Sequence, residues 1–493
     1  MMKSEKKIER LVLSVLFLSI IWEIIVFIFA PKQAYVLGLL ESWYFKNGLL
    51  FYKDMANAYT PLLNFIMYAY HELFGYGLNQ TILLAPIVSI ANLVILYLVG
   101  RKWLSGLSRI APLIFYEIWA GYLGANSFTT TSFLGILILI SFIYWLGWLK
   151  KPQKTLSFVL GLLFSFSVLT IQIVAPFIAV LSLAVLVKSI KLKKIIYFIY
   201  LCLGIIIPVG ILFYWVWANN IVNEFLYWNI LYYFDGYPYS GLTKDVSMVA
   251  AFVAIHSTIL VYSLGAPRDE DRIQYVYTIL SILVIALTFW FSVFHPFRFQ
   301  ISLPLMSLIL GMGIERYLSG KRSKLKNFIL GVALGATVLC SILYIIPRYF
   351  ISLSFKNVGR IISEVYPGDL MFDTVEWVKS NTPINSKIFL LGDTYFYFVA
   401  KRLPANYRNA LGNEQMLFFP LNKLQEELMA NRPDYWVIDE RLYLTYSNWN
   451  KNNLSVTIKK FLSCQTEIKK FDYWIVAKLN SSTEACVSRL KFQ

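Results

Sequence analysis

Two carboxylates lie close together near the start of the chain, Glu41 in LLESWYFK and Asp54 in FYKDM, among aromatic and basic side chains. A carboxylate set against a substrate hydroxyl can take its proton as a general base. Lys53 stands beside Asp54, and His295 and Arg298 stand together in His295-Pro296-Phe297-Arg298. Cationic donors of this kind can hold the oxygens of a departing phosphate. Tyr52, Tyr59 and Pro61 in the early segment could line a substrate, as could Trp228 and Asp235 in a later aromatic stretch that also holds Glu224 and Lys244. Each residue has a structural use as well. Asp54 suits the cap of a following helix, and Glu41 suits the solvated face of an interfacial helix. Arg298 can snorkel to a membrane surface, and His295 and the aromatics can sit in an interfacial belt. Glu117 lies within an apolar run, where an acid is a functional candidate unless it finds a polar partner.

Metal and cofactor chemistry has little to draw on. The chain has three histidines and four cysteines, with no CxxC or Cys/His ligand spacing. Gly392-Asp393 ends an apolar strand pattern, but no GxGxxG follows it, so no dinucleotide or other cofactor is expected. Cys464 and Cys486 sit in the polar tail, where an oxidising compartment would let them form a disulfide; two free thiols is the alternative.

The elements that must position these residues are mostly hydrophobic. The chain of 493 residues is 58% hydrophobic and 15% charged, with mean hydropathy +0.59. That composition excludes an ordinary soluble domain. Apolar runs long enough to cross about 30 Å of hydrocarbon recur through the first part of the chain and predict roughly eleven spans. The net charge of +17 gathers in short basic patches between runs, such as Arg101-Lys102 and Lys150-Lys151. Such alternation is the positive-inside pattern and argues against nucleic acid as a partner. It places the N-terminus in the cytoplasm and predicts a multi-pass protein of the cell membrane. The fold expected is a polytopic α-helical membrane domain over 1–350, with an outer first loop at 31–80. An extracytoplasmic α/β domain is expected over 351–493, because KIFLL, YWVI and the segment from Lys469 read as strands between helical stretches. Asn422–Asn431 reads as a helix of that domain.

The first loop carries an ordered set of residues: Gly48, Tyr52-Lys53-Asp54, Tyr59-Thr60-Pro61-Leu62 and Phe74-Gly75. This order resembles the first-loop motif of the GT-C glycosyltransferases, in the branch of the protein O-mannosyltransferases and lipid A aminoarabinose transferases. The tail segments SKIFLLGDTYFYFVAKRLPANYR and RPDYWVIDE resemble the outer α/β domain of bacterial and archaeal members, and His295-Pro296-Phe297-Arg298 is a third similarity. The resemblance implies transfer of a sugar, with inversion, from a polyprenyl-phosphate carrier to a lipid, glycan or protein acceptor at the outer membrane face. The partners it implies are the bilayer, that lipid-linked donor and the acceptor. The chain also departs from the family. The acid usual upstream of the glycine is replaced by Gln33-Ala34-Tyr35, and the acid common near the fourth span by Asn126-Ser-Phe-Thr-Thr-Thr131. The general base is therefore expected at Glu41 or Asp54. A catalytically silent relative that binds a lipid-linked glycan or supports envelope assembly is the alternative, with a transporter a more distant one.

Overall fold

The computed structural model describes residues 2–29, 36–55, 57, 59–122, 128–231, 276–280, 300–319, 371–405, 430–441 and 466–478, with a few single positions between 328 and 339. Two compact units result. One takes Met1–Tyr35, Leu78–Trp215 and Tyr239–Ser363; the other takes Val36–Gly77, Val216–Pro238 and Glu364–Gln493.

The first unit is helical. Its described elements are α1 (Met2–Phe29), α4 (Leu78–Trp103), α5 (Ala111–Tyr122), α6 (Thr130–Lys150), α7 (Lys154–Thr170), α8 (Ala175–Lys191), the greater part of α9 (Ile196–Ala218) and α11 (Leu303–Ser319). Among the described residues five helices are long and apolar enough to cross a membrane: Glu5–Ile28, Leu78–Trp103, Thr130–Lys150, Gln172–Lys191 and Ile196–Ala218. The outward faces of α1 and α9 are themselves apolar, with Phe17, Leu18, Ile206 and Ile211 exposed, as a lipid solvent requires. Small residues set the closest crossings. A Cβ on Gly161 of α7 would collide with the Leu201 carbonyl of α9, and one on Gly204 would collide with the Phe158 carbonyl. Backbones approach this closely in membranes because dispersion, rather than water release, joins the helices. At one end of the bundle Glu9 takes Arg109 at 3.1 Å, Arg101 at 3.4 Å and the Tyr97 hydroxyl at 3.0 Å. Glu315 accepts the Ser105 amide at 2.8 Å and the hydroxyls of Ser105 and Ser108.

The second unit joins helices α2 (Val36–Lys46), α3 (Leu62–Phe74) and α10 (Val222–Asn229) to a small α/β layer. The layer contains α12 (Phe372–Asn381), β1 (Lys387–Leu391), α13 (Tyr395–Ala400), β2 (Leu403–Pro404), β3 (Tyr435–Asp439), β4 (Thr466–Phe471) and β5 (Trp474–Lys478). The sheet order is β2-β1-β3-β5-β4. β1 runs parallel to β2 and β3, and β5 runs antiparallel to β3 and β4. The central strands are apolar on both faces: Ile388–Leu391 and Tyr435–Ile438 are all buried, which explains their unbroken hydrophobic runs. The strands read from KIFLL and YWVI form as expected, and the segment from Lys469, read as a last strand or hairpin arm, lies in the β4–β5 hairpin. Asn422–Asn431 lies almost wholly outside the described residues.

Candidate active site in the first loop

Helix α2 is short, and its side chains from Leu39 to Tyr44 are all buried. A helix apolar on every face is enclosed by its surroundings. Trp43 meets Phe398 of α13 edge-on, with ring centroids 5.8 Å apart, and Tyr44 meets Tyr397 at 6.3 Å. Phe45 stacks on Phe51 at 5.1 Å and meets Tyr68 of α3 at 4.9 Å. In this setting the single acid of α2, Glu41, is only 3% exposed. Its Oε1 accepts a hydrogen bond from the Asn57 side-chain amide at 3.2 Å, across sixteen residues of chain. Its Oε2 is buried without a hydrogen-bond partner among the described residues. Loss of water disfavours the charged form, so burial raises the Glu41 carboxyl to about 8.

The loop that brings Asn57 back is built in steps. Gly48 ends α2 with φ +84, donates to the Phe45 carbonyl, and lets Leu49 donate to the Tyr44 carbonyl. This pair of bonds is a Schellman end, and its left-handed position is the reason for the glycine. Next, the Asp54 carboxylate accepts the Leu50 amide at 2.8 Å while the Asp54 amide donates to the Leu50 carbonyl at 2.9 Å. Tyr52 stands between them at φ 71, a conformation costly for a bulky residue. Its ring is fully buried against Phe225 of α10 at 5.2 Å, and its hydroxyl donates to the Tyr59 carbonyl at 2.8 Å. The Tyr59 amide in turn donates to Asn57 Oδ1 at 2.9 Å, an Asx turn that fixes which end of the amide faces Glu41. Pro61 then caps α3, accepting from Phe65 at 3.1 Å.

The residues singled out from sequence thus take different stations. Glu41, Tyr52, Pro61 and Trp228 are buried, Tyr59 and Asp54 are half-buried, and Lys53 is exposed. Trp228 packs inside the unit, edge-on to Tyr227 at 5.4 Å. Asp235, Lys244, His295, Arg298, Cys464 and Cys486 lie outside the described residues. Asn57 went unnoticed in the sequence, although an Asn two positions before Tyr59-Thr60-Pro61 carries the signature of an Asx turn. Glu117 belongs to the helical unit, within electrostatic reach of Glu23, which hydrogen-bonds Ser89. Ser89 and Asn92 lie 3.2 and 3.3 Å from the Tyr116 hydroxyl. Among the described residues no cluster of three or more His, Cys, Asp and Glu side chains could hold a metal ion.

No family model matches the chain, and no curated protein matches its sequence. The fold is informative where the sequence is not. ArnT from Cupriavidus metallidurans, solved bound to undecaprenyl phosphate, is similar at a TM-score of 0.60 and 12% identity. That likeness covers 96% of this chain and 98% of the ArnT chain. The Archaeoglobus fulgidus oligosaccharyltransferase, tethered to an acceptor peptide containing an NVT sequon, is similar at a TM-score of 0.51 and 13% identity. Here 91% of this chain and 72% of the other are covered. The fold is that of the GT-C glycosyltransferases. Within this fold, Glu41 and Asp54 both lie between α1 and α4, and their environments separate them. Asp54 clasps a turn, whereas Glu41 faces a dry interior with one oxygen uncommitted.

Proposed function

We propose that the protein is a membrane glycosyltransferase that moves a sugar from a polyprenyl-phosphate carrier to an acceptor hydroxyl or amide, with Glu41 as general base. The observation that carries this reading is the uncommitted Oε2 of a buried first-loop carboxylate within a GT-C fold. In the proposed step the ionised Glu41 takes the proton of the acceptor, whose heteroatom attacks the anomeric carbon. The bond from that carbon to the phosphate oxygen breaks, the electron pair leaves with the phosphate, and the anomeric centre inverts. Arg298, His295 and Lys53 are the groups proposed to neutralise the leaving phosphate. Asp54 stands as the second candidate base. Because the carboxyl is raised to about 8, a base at Glu41 gains ionised population, and rate, as pH climbs through that value. Oε2 is shielded from water, so the acceptor must enter through a local opening of the loop.

The basic patches support a topology with the N-terminus in the cytoplasm, a membrane domain over 1–350 carrying an outer first loop at 31–80, and an outer α/β domain over 351–493. A lipid-linked donor confined to the bilayer would present its headgroup on that side. Purified protein in lipid nanodiscs, given a panel of polyprenyl-phosphate sugars, is expected to release or transfer sugar, and Glu41→Gln to remove about 10²–10⁴-fold of the rate. Wild-type turnover in Glu41→Gln with loss in Asp54→Asn would move the base to Asp54, and full activity in both would exclude each.

The closed burial of Glu41 favours a second reading, in which the scaffold binds a lipid-linked glycan without transferring it. Tight donor binding with no turnover across the panel separates that reading from the first.

A further inference from the structure

We infer that Asn57 is the positioning residue for Glu41: its side-chain amide fixes Oε1 and so designates Oε2 as the oxygen that receives the acceptor proton. The inference rests on the reading of Glu41 as base and extends it to a residue that makes no contact with the reacting atoms. The geometry behind it is specific. Asn57 has one amide N–H on Glu41 Oε1 at 3.2 Å and its own Oδ1 under the Tyr59 amide at 2.9 Å. An amide can present its oxygen or its nitrogen to a neighbour, and the Tyr59 N–H can donate only to the oxygen. The nitrogen is thereby committed to the carboxylate, where it can only donate. Donation to one oxygen of a carboxylate favours the ionised form and orients the group. The other oxygen is left buried, with no donor on it among the described residues to compete with a substrate.

The rest of the first-loop motif serves this placement. The Asp54–Leu50 clasp, the left-handed conformation of Tyr52 and the Tyr52 hydroxyl on the Tyr59 carbonyl hold Asn57 and Tyr59 so that Asn57 reaches Glu41 of α2. Several titratable groups of the surrounding elements are, among the described residues, engaged elsewhere. On α2 and α3, Lys46 pairs with Glu72 at 3.2 Å, Glu72 also accepts the Tyr76 hydroxyl, and His71 stacks on Tyr76 at 5.4 Å. Beyond α13, Lys401 lies 3.9 Å from the Phe398 ring centroid. Tyr44 and Tyr397 are held neutral by burial, which raises both hydroxyls well above the ordinary range. Asn57 is therefore the described donor with a direct hold on Glu41.

Asn57→Asp isolates the donor. It keeps an oxygen for the Tyr59 amide, and hence the turn, but replaces the N–H facing Glu41 with an oxygen. Asn57→Leu removes both bonds at similar volume and serves as the second variant. The full chain in nanodiscs would be titrated by infrared spectroscopy, following the protonated carboxyl band identified as the one missing in Glu41→Gln. This measurement needs no substrate. The band's midpoint is expected to move up by about one pH unit in Asn57→Leu and further in Asn57→Asp, where two carboxyls share a proton. The rising limb of the pH–rate profile, read with the donor panel, should move with it, and Asn57→Leu should cost nothing further in the Glu41→Gln background. An unmoved midpoint in either folded variant overturns the positioning role while leaving Glu41 as base. Full activity in Glu41→Gln overturns the base assignment, and the positioning role falls with it.

Discussion

The carboxylate of Asp54 and the backbone of Leu50 hold each other twice, side chain to amide at 2.8 Å and amide to carbonyl at 2.9 Å. This clasp closes the turn in which Tyr52 takes its left-handed conformation. Asp54→Ala leaves the Leu50 amide without that acceptor and is expected to lower stability by about 1–2 kcal/mol. Asp54→Asn keeps an acceptor oxygen and should lose less. Thermal unfolding in detergent, compared across the pair, checks the order; a smaller loss in the alanine variant than in the asparagine variant would refute the clasp.

Burial of Glu41 links stability to pH. The folded protein holds the proton up to about 8, against an ordinary value of 4.5. Between those values the folded state binds more protons than the unfolded state, so stability falls as pH rises through the window. The contribution is fully present below about 4.5 and lost above about 8. Glu41→Gln cannot ionise, so its melting temperature relative to wild type should rise as the buffer is moved from acidic to alkaline. A constant difference across that range would show that Glu41 does not keep its proton on folding.

Arg402 is a second buried ionisable group, 4% exposed, and its role is structural. Its guanidinium donates to the carbonyls of Thr382 at 2.6 Å and Lys379 at 3.2 Å, and to the Thr382 hydroxyl at 2.9 Å. It also reaches the carbonyls of Ala400 and Lys401, both at 3.1 Å. The planar fork thus closes the end of α12, where carbonyls lack helical partners and a cation is favoured. Arg402→Lys cannot reproduce the fork, and a loss of about 2–4 kcal/mol is expected. Limited proteolysis of the α/β layer against temperature reports it, and wild-type resistance in Arg402→Lys would contradict the assignment.

Gly161 and Gly204 mark the α7–α9 crossing. A methyl group at Gly161 would strike the Leu201 carbonyl and the Gly204 backbone, neither of which can rotate away. Gly161→Ala is expected to destabilise the helical unit by about 1–3 kcal/mol through overpacking. Gly147, where a Cβ would meet nothing within 4 Å, is the control and should tolerate alanine. Equal melting temperatures for the two variants would argue against close packing at this crossing.

Much of this molecule is legible in single residues and their spacing. Long apolar runs made spanning helices, the hydrophobic runs at KIFLL and YWVI made central strands, and Gly48 ended α2 where only a left-handed residue could. These features are local: each depends on a few neighbours along the chain, and hydrophobic period or backbone conformation reports them directly. The order of the first-loop motif also pointed to the GT-C fold that the likeness to solved structures bears out.

Burial is decided between distant residues and was not legible. In the sequence Glu41 and Asp54 are equivalent acids in an aromatic loop. Tertiary packing places Glu41 in a dry interior against Asn57 and turns Asp54 into the clasp of a turn. The same holds for Arg402, which reads as one more basic residue until α12 brings its open carbonyls to it. A side chain's type fixes which charges and hydrogen bonds are available. Its loss of water, and therefore its proton affinity and its partners, is set by groups that meet only when the chain has folded.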